Sequence, residues 1–163
     1  MSRLDSFIRR LHAQRACLAA AATLVRDVPG PVLELGLGAG RTYDHLRHLL
    51  PGREIFVFER LVAAPPECTP DPRHLILGDV MDTLPQALRR LPGPAVLAHA
   101  DIGGWDPEDN AALATRIGPH LNGLMGTEGV VVSDQAMAYA SWEPLALPPE
   151  VAPGRYFMYR VDR

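Results

Sequence analysis

Apolar Leu4, Phe7, Ile8, Leu11, Leu18, Ala22 and Val25 recur at three- and four-residue steps, while Arg9, Arg10, Gln14 and Arg15 fall largely elsewhere, a spacing that predicts an amphipathic helix over 4–25. Pro29, Gly30 and Pro31 end it, and the short apolar run Val32 to Leu35 then passes directly into glycines, as a buried strand feeding a tight turn does. Helical rhythm returns from Arg41 to Leu50 through Tyr43, Leu46, Leu49 and Leu50, and Pro51-Gly52 stops it. Ile55 to Phe58 reads as a second strand closing on Glu59. Four prolines between Pro65 and Pro72 predict an irregular connection or at most a short turn. His74 to Leu77 is a third strand, closing on Gly78-Asp79, and Asp82 is placed to cap a helix running to about Arg90. After Pro92-Gly93-Pro94 a fourth strand, Ala95 to Ala100, ends at Asp101. Pro107 suits a first helical position, and the helix it opens is expected to run to about Ile117, where Gly118-Pro119 interrupts it. Gly129 to Ser133 is a fifth strand and Tyr156 to Val161 a last one, with Ser141 to Leu147 a weaker candidate.

Strands alternating with helices predict an α/β fold, a mostly parallel sheet with helices on both faces. The length, 163 residues, fits one domain: an N-terminal helix in 1–28 and the sheet and its helices in 29–163. Ligands of such sheets sit beyond the carboxyl ends of the strands, where this chain places Glu59, Asp79, Asp101 and Asp134.

Charge and composition narrow the partners. A net charge of -3 and a pI near 6.0 give no basic surplus of the kind phosphate backbones demand, so nucleic acid is not an expected partner. All 16 basic residues are Arg, which excludes a catalytic lysine or Schiff base. Cys17 and Cys68 are too sparse for a disulfide scaffold and lie outside metal-ligand spacing, which fits a reducing, cytoplasmic setting. Neither a signal peptide nor a membrane span is predicted, so the protein is expected to be soluble.

Candidate chemistry concentrates in Glu34-Leu35-Gly36-Leu37-Gly38-Ala39-Gly40, between the first strand and its helix. Glycines there let the backbone turn tightly and approach a ligand that any Cβ would push away. Glu59 follows about 20 residues past the loop, where a carboxylate accepts hydrogen bonds from both hydroxyls of a ribose. The plainer alternative is an exposed strand-end charge. The third small residue of the dinucleotide fingerprint is due where Arg41 stands, so the spacing departs from the nicotinamide pattern.

The acid-x-Gly-x-Gly-x-Gly form of residues 34 to 40, with Glu59 and Gly78-Asp79 at the next two strand ends, resembles the class I S-adenosylmethionine-dependent methyltransferases over roughly Val32 to Ser133 and the terminal strand. The resemblance implies a single Rossmann-like, doubly wound domain with an antiparallel terminal strand, and S-adenosylmethionine as cofactor. It places Gly36, Gly38 and Gly40 along the homocysteine and sugar, Glu34 at the loop and the ligand's amino group, Glu59 on the ribose, and Asp79 and Val80 on the adenine beside Gly78. Thr42 and Arg60 are neighbours of that site. Asp101 faces the transferable methyl, as a proton acceptor for the substrate or, equally, as a cap of the following turn. His99 reads as a packed, hydrogen-bonded histidine rather than a base. Trp105 reads as a residue packed on the domain edge, with a lid or an acceptor-stacking surface as the alternative.

Asp134-Gln135 after the fifth strand also resembles, with one departure, the Asp-Asn pair of metal-dependent catechol-type O-methyltransferases. That likeness makes Asp101, Asp134 and Gln135 the minority candidates for a Mg²⁺ site in an enzyme expected to need no metal. With no inserted domain expected to enclose an acceptor, either the acceptor is small or a partner subunit completes the site. The N-terminal helix is a candidate for covering the pocket or for a homo-oligomer contact. Three rival readings remain open: a non-catalytic S-adenosylmethionine-binding module, a nicotinamide-dependent oxidoreductase, and a different enzyme of the same cofactor such as an aminopropyl transferase.

Overall fold

Val32–Leu35 forms β1, buried at every position, as a strand covered on both faces must be. It lies inside a seven-stranded sheet of order β3 (Leu75–Leu77), β2 (Ile55–Glu59), β1, β4 (Ala95–Ala100), β5 (Met125–Ser133), β7 (Phe157–Val161), β6 (Trp142–Pro144). From β3 to β5 all neighbours are parallel; β7 runs antiparallel to β5, and β6 antiparallel to β7. The computed structural model describes residues 2–104, 106–137 and 139–162. It shows the Rossmann-like, mostly parallel sheet with a reversed terminal strand that the alternation of elements and the family resemblance predict. No helix among the described residues is long and apolar enough to cross a membrane.

Side-chain alternation splits the core into two layers. Val32, Leu97, Val130 and Val132 pack under α1 (Arg3–Leu24) and α2 (Arg41–Leu49). Leu33, Leu35, Ala98, Ala100 and Val131 pack on the other face against α4 (Pro107–Leu124) and the turn after the short α3 (Val80–Thr83). A capping box of Ser2 and Asp5 starts α1, but burial begins only at Ala13. Leu4, Phe7 and Ile8, predicted to form the apolar face, are 66%, 45% and 43% exposed, whereas Gln14, predicted off that face, is buried.

Two helices differ from expectation. Gly118-Pro119 does not interrupt α4, which continues to Leu124 with Pro119 inside it. Pro119 is exposed while Ala114, Ile117, Gly118, Leu121 and Leu124 are buried on the sheet side, so burial of that stripe outweighs one lost backbone bond. The helix expected from Asp82 is instead capped by Asp79, whose side chain accepts from the Met81 N–H, and α3 ends after one turn at Thr83. Pro85 follows, lacking the N–H an α-helix needs, and the chain tightens into a 3-10 turn over Leu84–Arg89. The proline-rich connection after β2 holds only a 3-10 turn at Pro66–Cys68, as its prolines predict.

Candidate functional site

The parallel strands end in register, and their carboxyl ends surround a cavity of about 660 Å³, within the range of small-molecule sites. Its wall is built loop by loop: Gly36 and Gly38 after β1, Glu59 and Arg60 at the end of β2, Gly78, Asp79 and Val80 after β3, and Asp101 and Ile102 after β4. Asp106, Asp109 and Asn110 from the start of α4 complete it.

The glycine loop owes its shape to close approaches. Gly36 has φ +89°, and a Cβ there would lie 2.7 Å from the Asp101 carbonyl oxygen; Gly40 has φ +75°, and its Cβ would lie 2.5 Å from the Cys68 carbonyl oxygen. Gly38 differs: at φ +50° its added Cβ meets nothing within 4 Å, so this backbone borders open space on the cavity side. Gly38 is therefore where bare backbone leaves room for a ligand.

Glu59 braces that loop. Its Oε2 accepts from the N–H groups of Leu37 at 2.8 Å and Gly38 at 3.1 Å, and its Oε1 from those of Arg60 at 2.7 Å and Leu61 at 3.1 Å. Burial pushes the carboxyl up, but these four backbone donors together outweigh it and hold the group below its ordinary value. A charged acceptor thus stands at the cavity wall as a built part of the loop, not as a solvated strand end. Asp79 combines two placements: Oδ1 accepts from the Met81 N–H at 2.9 Å, while Oδ2 has no hydrogen-bond partner among the described residues and the residue lines the cavity.

Glu34, Gly40 and Thr42, expected along the ligand, do not line this cavity. Glu34 is fully buried and points under α1 and α2, where Oε1 accepts from the Thr42 hydroxyl and Oε2 lies 2.8 Å from His99 Nδ1. The hydrogen bonds of Glu34 run inside the fold because period-two alternation sends it to the face opposite Leu33 and Leu35. Glu34 and His99 are direct register partners on adjacent strands. His99 Nε2 lies 2.8 Å from the Tyr156 hydroxyl, and Gln14 Nε2 donates to that hydroxyl at 3.0 Å and to Asp101 Oδ2 at 2.7 Å. Burial opposes the charged form of His99, but the Glu34 carboxylate, with Asp101 and Asp134 beyond it, outweighs burial and holds the imidazole above its ordinary value. His99 is the packed, bonded histidine expected of it.

Asp101 lines the cavity, and its Oδ1 accepts from Arg10. The same guanidinium lies 3.8 Å from Asp134 Oδ2, whose carboxyl burial, and then the charge of Asp101, push upward. The position a Mg²⁺ ion would take between Asp101 and Asp134 therefore holds Arg10, and Gln135 turns its amide nitrogen toward Asp134 Oδ2 at 3.2 Å instead of offering oxygen. Those three side chains do not fit a divalent ion. Trp105 lies outside the described residues.

Arg10, Gln14 and Tyr156 were not singled out in the sequence. Gln14 falls off the apolar stripe that the periodicity predicts, so no local signal marks it, and Arg10 and Tyr156 carry none without the strand order.

A family model described as S-adenosyl-L-methionine methyltransferase matches residues 1–161. The crystal structure of an S-adenosyl-L-methionine methyl transferase from Silicibacter pomeroyi is 48% identical, with 99% of each chain covered and a TM-score of 0.93. The N-methyltransferase NodS from Bradyrhizobium japonicum shares the fold at 13% identity, with 99% of each chain covered and a TM-score of 0.58. So does the O-methyltransferase TomG from Streptomyces achromogenes, at 18% identity over 82% of this chain and 56% of that one, with a TM-score of 0.51. No curated protein matches the chain.

Proposed function

The chain belongs to the S-adenosyl-L-methionine methyltransferase family, and from that membership we propose which residues hold the cofactor and which face the acceptor. S-adenosyl-L-methionine supplies, when bound, a methyl group already activated on a sulfonium. What the protein adds is binding, alignment and a destination for a proton.

Gly36 and Gly38 receive the ligand along bare backbone, with Gly38 as the point of closest approach. Glu59, on the cavity wall, takes the ribose hydroxyls, exchanging loop N–H bonds for ligand O–H bonds as a carboxylate acceptor can. Asp79 takes the adenine amino group on its uncommitted oxygen, beside Gly78 and Val80, and Arg60 flanks the ribose end. Glu34, Gly40 and Thr42 act one layer behind, fixing the loop and the start of α2. Asp101 accepts the proton that the acceptor loses as its new bond to carbon forms and the bond from sulfur breaks, the sulfur keeping the electron pair.

The acceptor in this reading is a small molecule. The cavity wall carries Glu59, Asp79, Asp101, Asp106 and Asp109 against Arg60, a field that repels a phosphate backbone. Residues 1–28 and 29–163 act as one unit, because α1 reaches Asp101.

The observation that carries the assignment is the convergence of Gly38, Glu59, Asp79 and Asp101 on one cavity at four adjacent strand ends. Titration of two variants tests it. Glu59→Ala is expected to weaken S-adenosyl-L-methionine binding by tenfold or more, the cost of about one charge-assisted pair. Asp101→Ala is expected to leave binding within about threefold and to slow turnover. Equal affinities for wild type and Glu59→Ala would remove the ribose assignment.

A further inference from the structure

Period-two alternation places Leu97, His99 and Asp101 on one side of β4 and its extension, and Val130, Val132 and Asp134 on the same side of β5. That is the side α1 covers. Both oxygens of Asp101 are engaged by α1 side chains: Arg10 donates to Oδ1 and Gln14 Nε2 to Oδ2 at 2.7 Å. Through Gln14 the bonds continue without a break to Tyr156, His99, Glu34 and Thr42, the second residue of α2 after the glycine loop.

We propose that Arg10 and Gln14 are positioning residues for methyl transfer: the N-terminal helix fixes the Asp101 carboxylate at the cavity wall in the orientation that receives the acceptor's proton. The inference rests on the reading of Asp101 as the group that faces the acceptor. Asp101 follows the last residue of β4, so without tethers its side chain turns freely about two bonds. Two donors on successive turns of one helix, one for each oxygen, leave it a single orientation. Each carboxylate oxygen keeps a second lone pair, so the acceptor's proton has a place to go while both tethers hold. Arg10 also stands between Asp101 and Asp134 and offsets the repulsion of two carboxylates at neighbouring strand ends. Gln14 is buried and gives its amide nitrogen to Asp101 and Tyr156 together, so the setting of Asp101 and the packing behind the cofactor loop share one side chain.

The test measures the three-bond couplings to the Asp101 carboxyl carbon in isotope-labelled protein, which report its first side-chain torsion without any acceptor. Wild type is expected to show a single rotamer, Arg10→Met and Gln14→Leu an averaged one, and Arg10→Lys a largely restored one. Arg10 is partly exposed, so Arg10→Met keeps the readout accessible if the buried Gln14→Leu variant fails to fold. A helix that merely anchors to the sheet would lower the melting temperature of the variants and leave Asp101 in one rotamer, and that outcome overturns the proposal. S-adenosylhomocysteine release with a panel of amines, phenols and thiols separates the two readings. Under the proposal, Arg10→Met lowers kcat by roughly 10- to 100-fold with the cofactor Kd held within about twofold. If Asp101→Asn retains full turnover, the reading of Asp101 fails while the rotamer result stands.

Discussion

Gly38 and Gly40, two residues apart with Ala39 between them, adopt positive φ for different reasons, and substitution separates them. Gly38→Ala places a methyl in open space beside the cavity, so it costs about 1–2 kcal/mol of backbone strain and intrudes on the ligand. Gly40→Ala carries the same strain and also drives a carbon to 2.5 Å from the Cys68 carbonyl. Thermal melts and cofactor titrations on both variants are expected to show Gly38→Ala losing mainly affinity and Gly40→Ala losing mainly stability. The buried Glu34–His99 pair makes a second prediction. Its folded-state histidine value is raised, so the stability it contributes is fully present below the unfolded value of about 6.5 and is lost as pH rises through the folded value. The melting temperature of wild type should therefore fall across that rise. Glu34→Gln should melt lower, by the equivalent of about 3 kcal/mol, and lack that slope. At this scale the place of Gly36, Gly38, Glu59 and Asp79 at the strand ends was legible, because strand-to-loop transitions are written in local residue types. Glu34 was legible as a residue of interest but not in its role, since its partner His99 is 65 positions away and joins it only through strand order.

Helix boundaries show how tertiary burial overrides local punctuation. Pro119 carries the signal of a helix stop, and α4 passes through it because the residues around it bury a continuous stripe. Since Pro119 itself is exposed, Pro119→Ala restores a backbone donor without opening a cavity. The gain expected is about 1–2 kcal/mol, the interior-proline penalty less the entropy that proline removes from the unfolded chain. A rise in the denaturation midpoint at constant m-value checks it, and an unchanged or lower midpoint contradicts it. The N-terminal helix teaches the converse. Its periodicity was plain in the sequence, but the first turns carry Leu4, Phe7 and Ile8 outward while Gln14 turns in. Gln14, off the apolar positions in the sequence, is buried because the fold brings Asp101 and Tyr156 within reach of its amide.

Over the whole molecule, strand order turns scattered acids into a site. Placing β4 beside β1, with β2 and β3 on its other side, aligns Gly38, Glu59, Asp79 and Asp101 around one cavity, and α1 reaches Asp101 through Arg10 and Gln14. The alternation of strands and helices predicted this sheet from sequence alone, with its ligand end at the carboxyl termini of the strands. What the pattern could not carry was the second polar layer behind the cavity, which exists only once β1, β4, α1 and Tyr156 meet. The central claim is that S-adenosyl-L-methionine binds in this cavity and that Glu59 holds it there. Calorimetric titration of wild type and Glu59→Ala with S-adenosyl-L-methionine and S-adenosylhomocysteine, with NAD as control, tests it most directly. The account predicts micromolar binding of both sulfur nucleosides to wild type, a loss of tenfold or more in the variant, and no binding of NAD. Binding of NAD in their place, or equal affinity in wild type and variant, would contradict it.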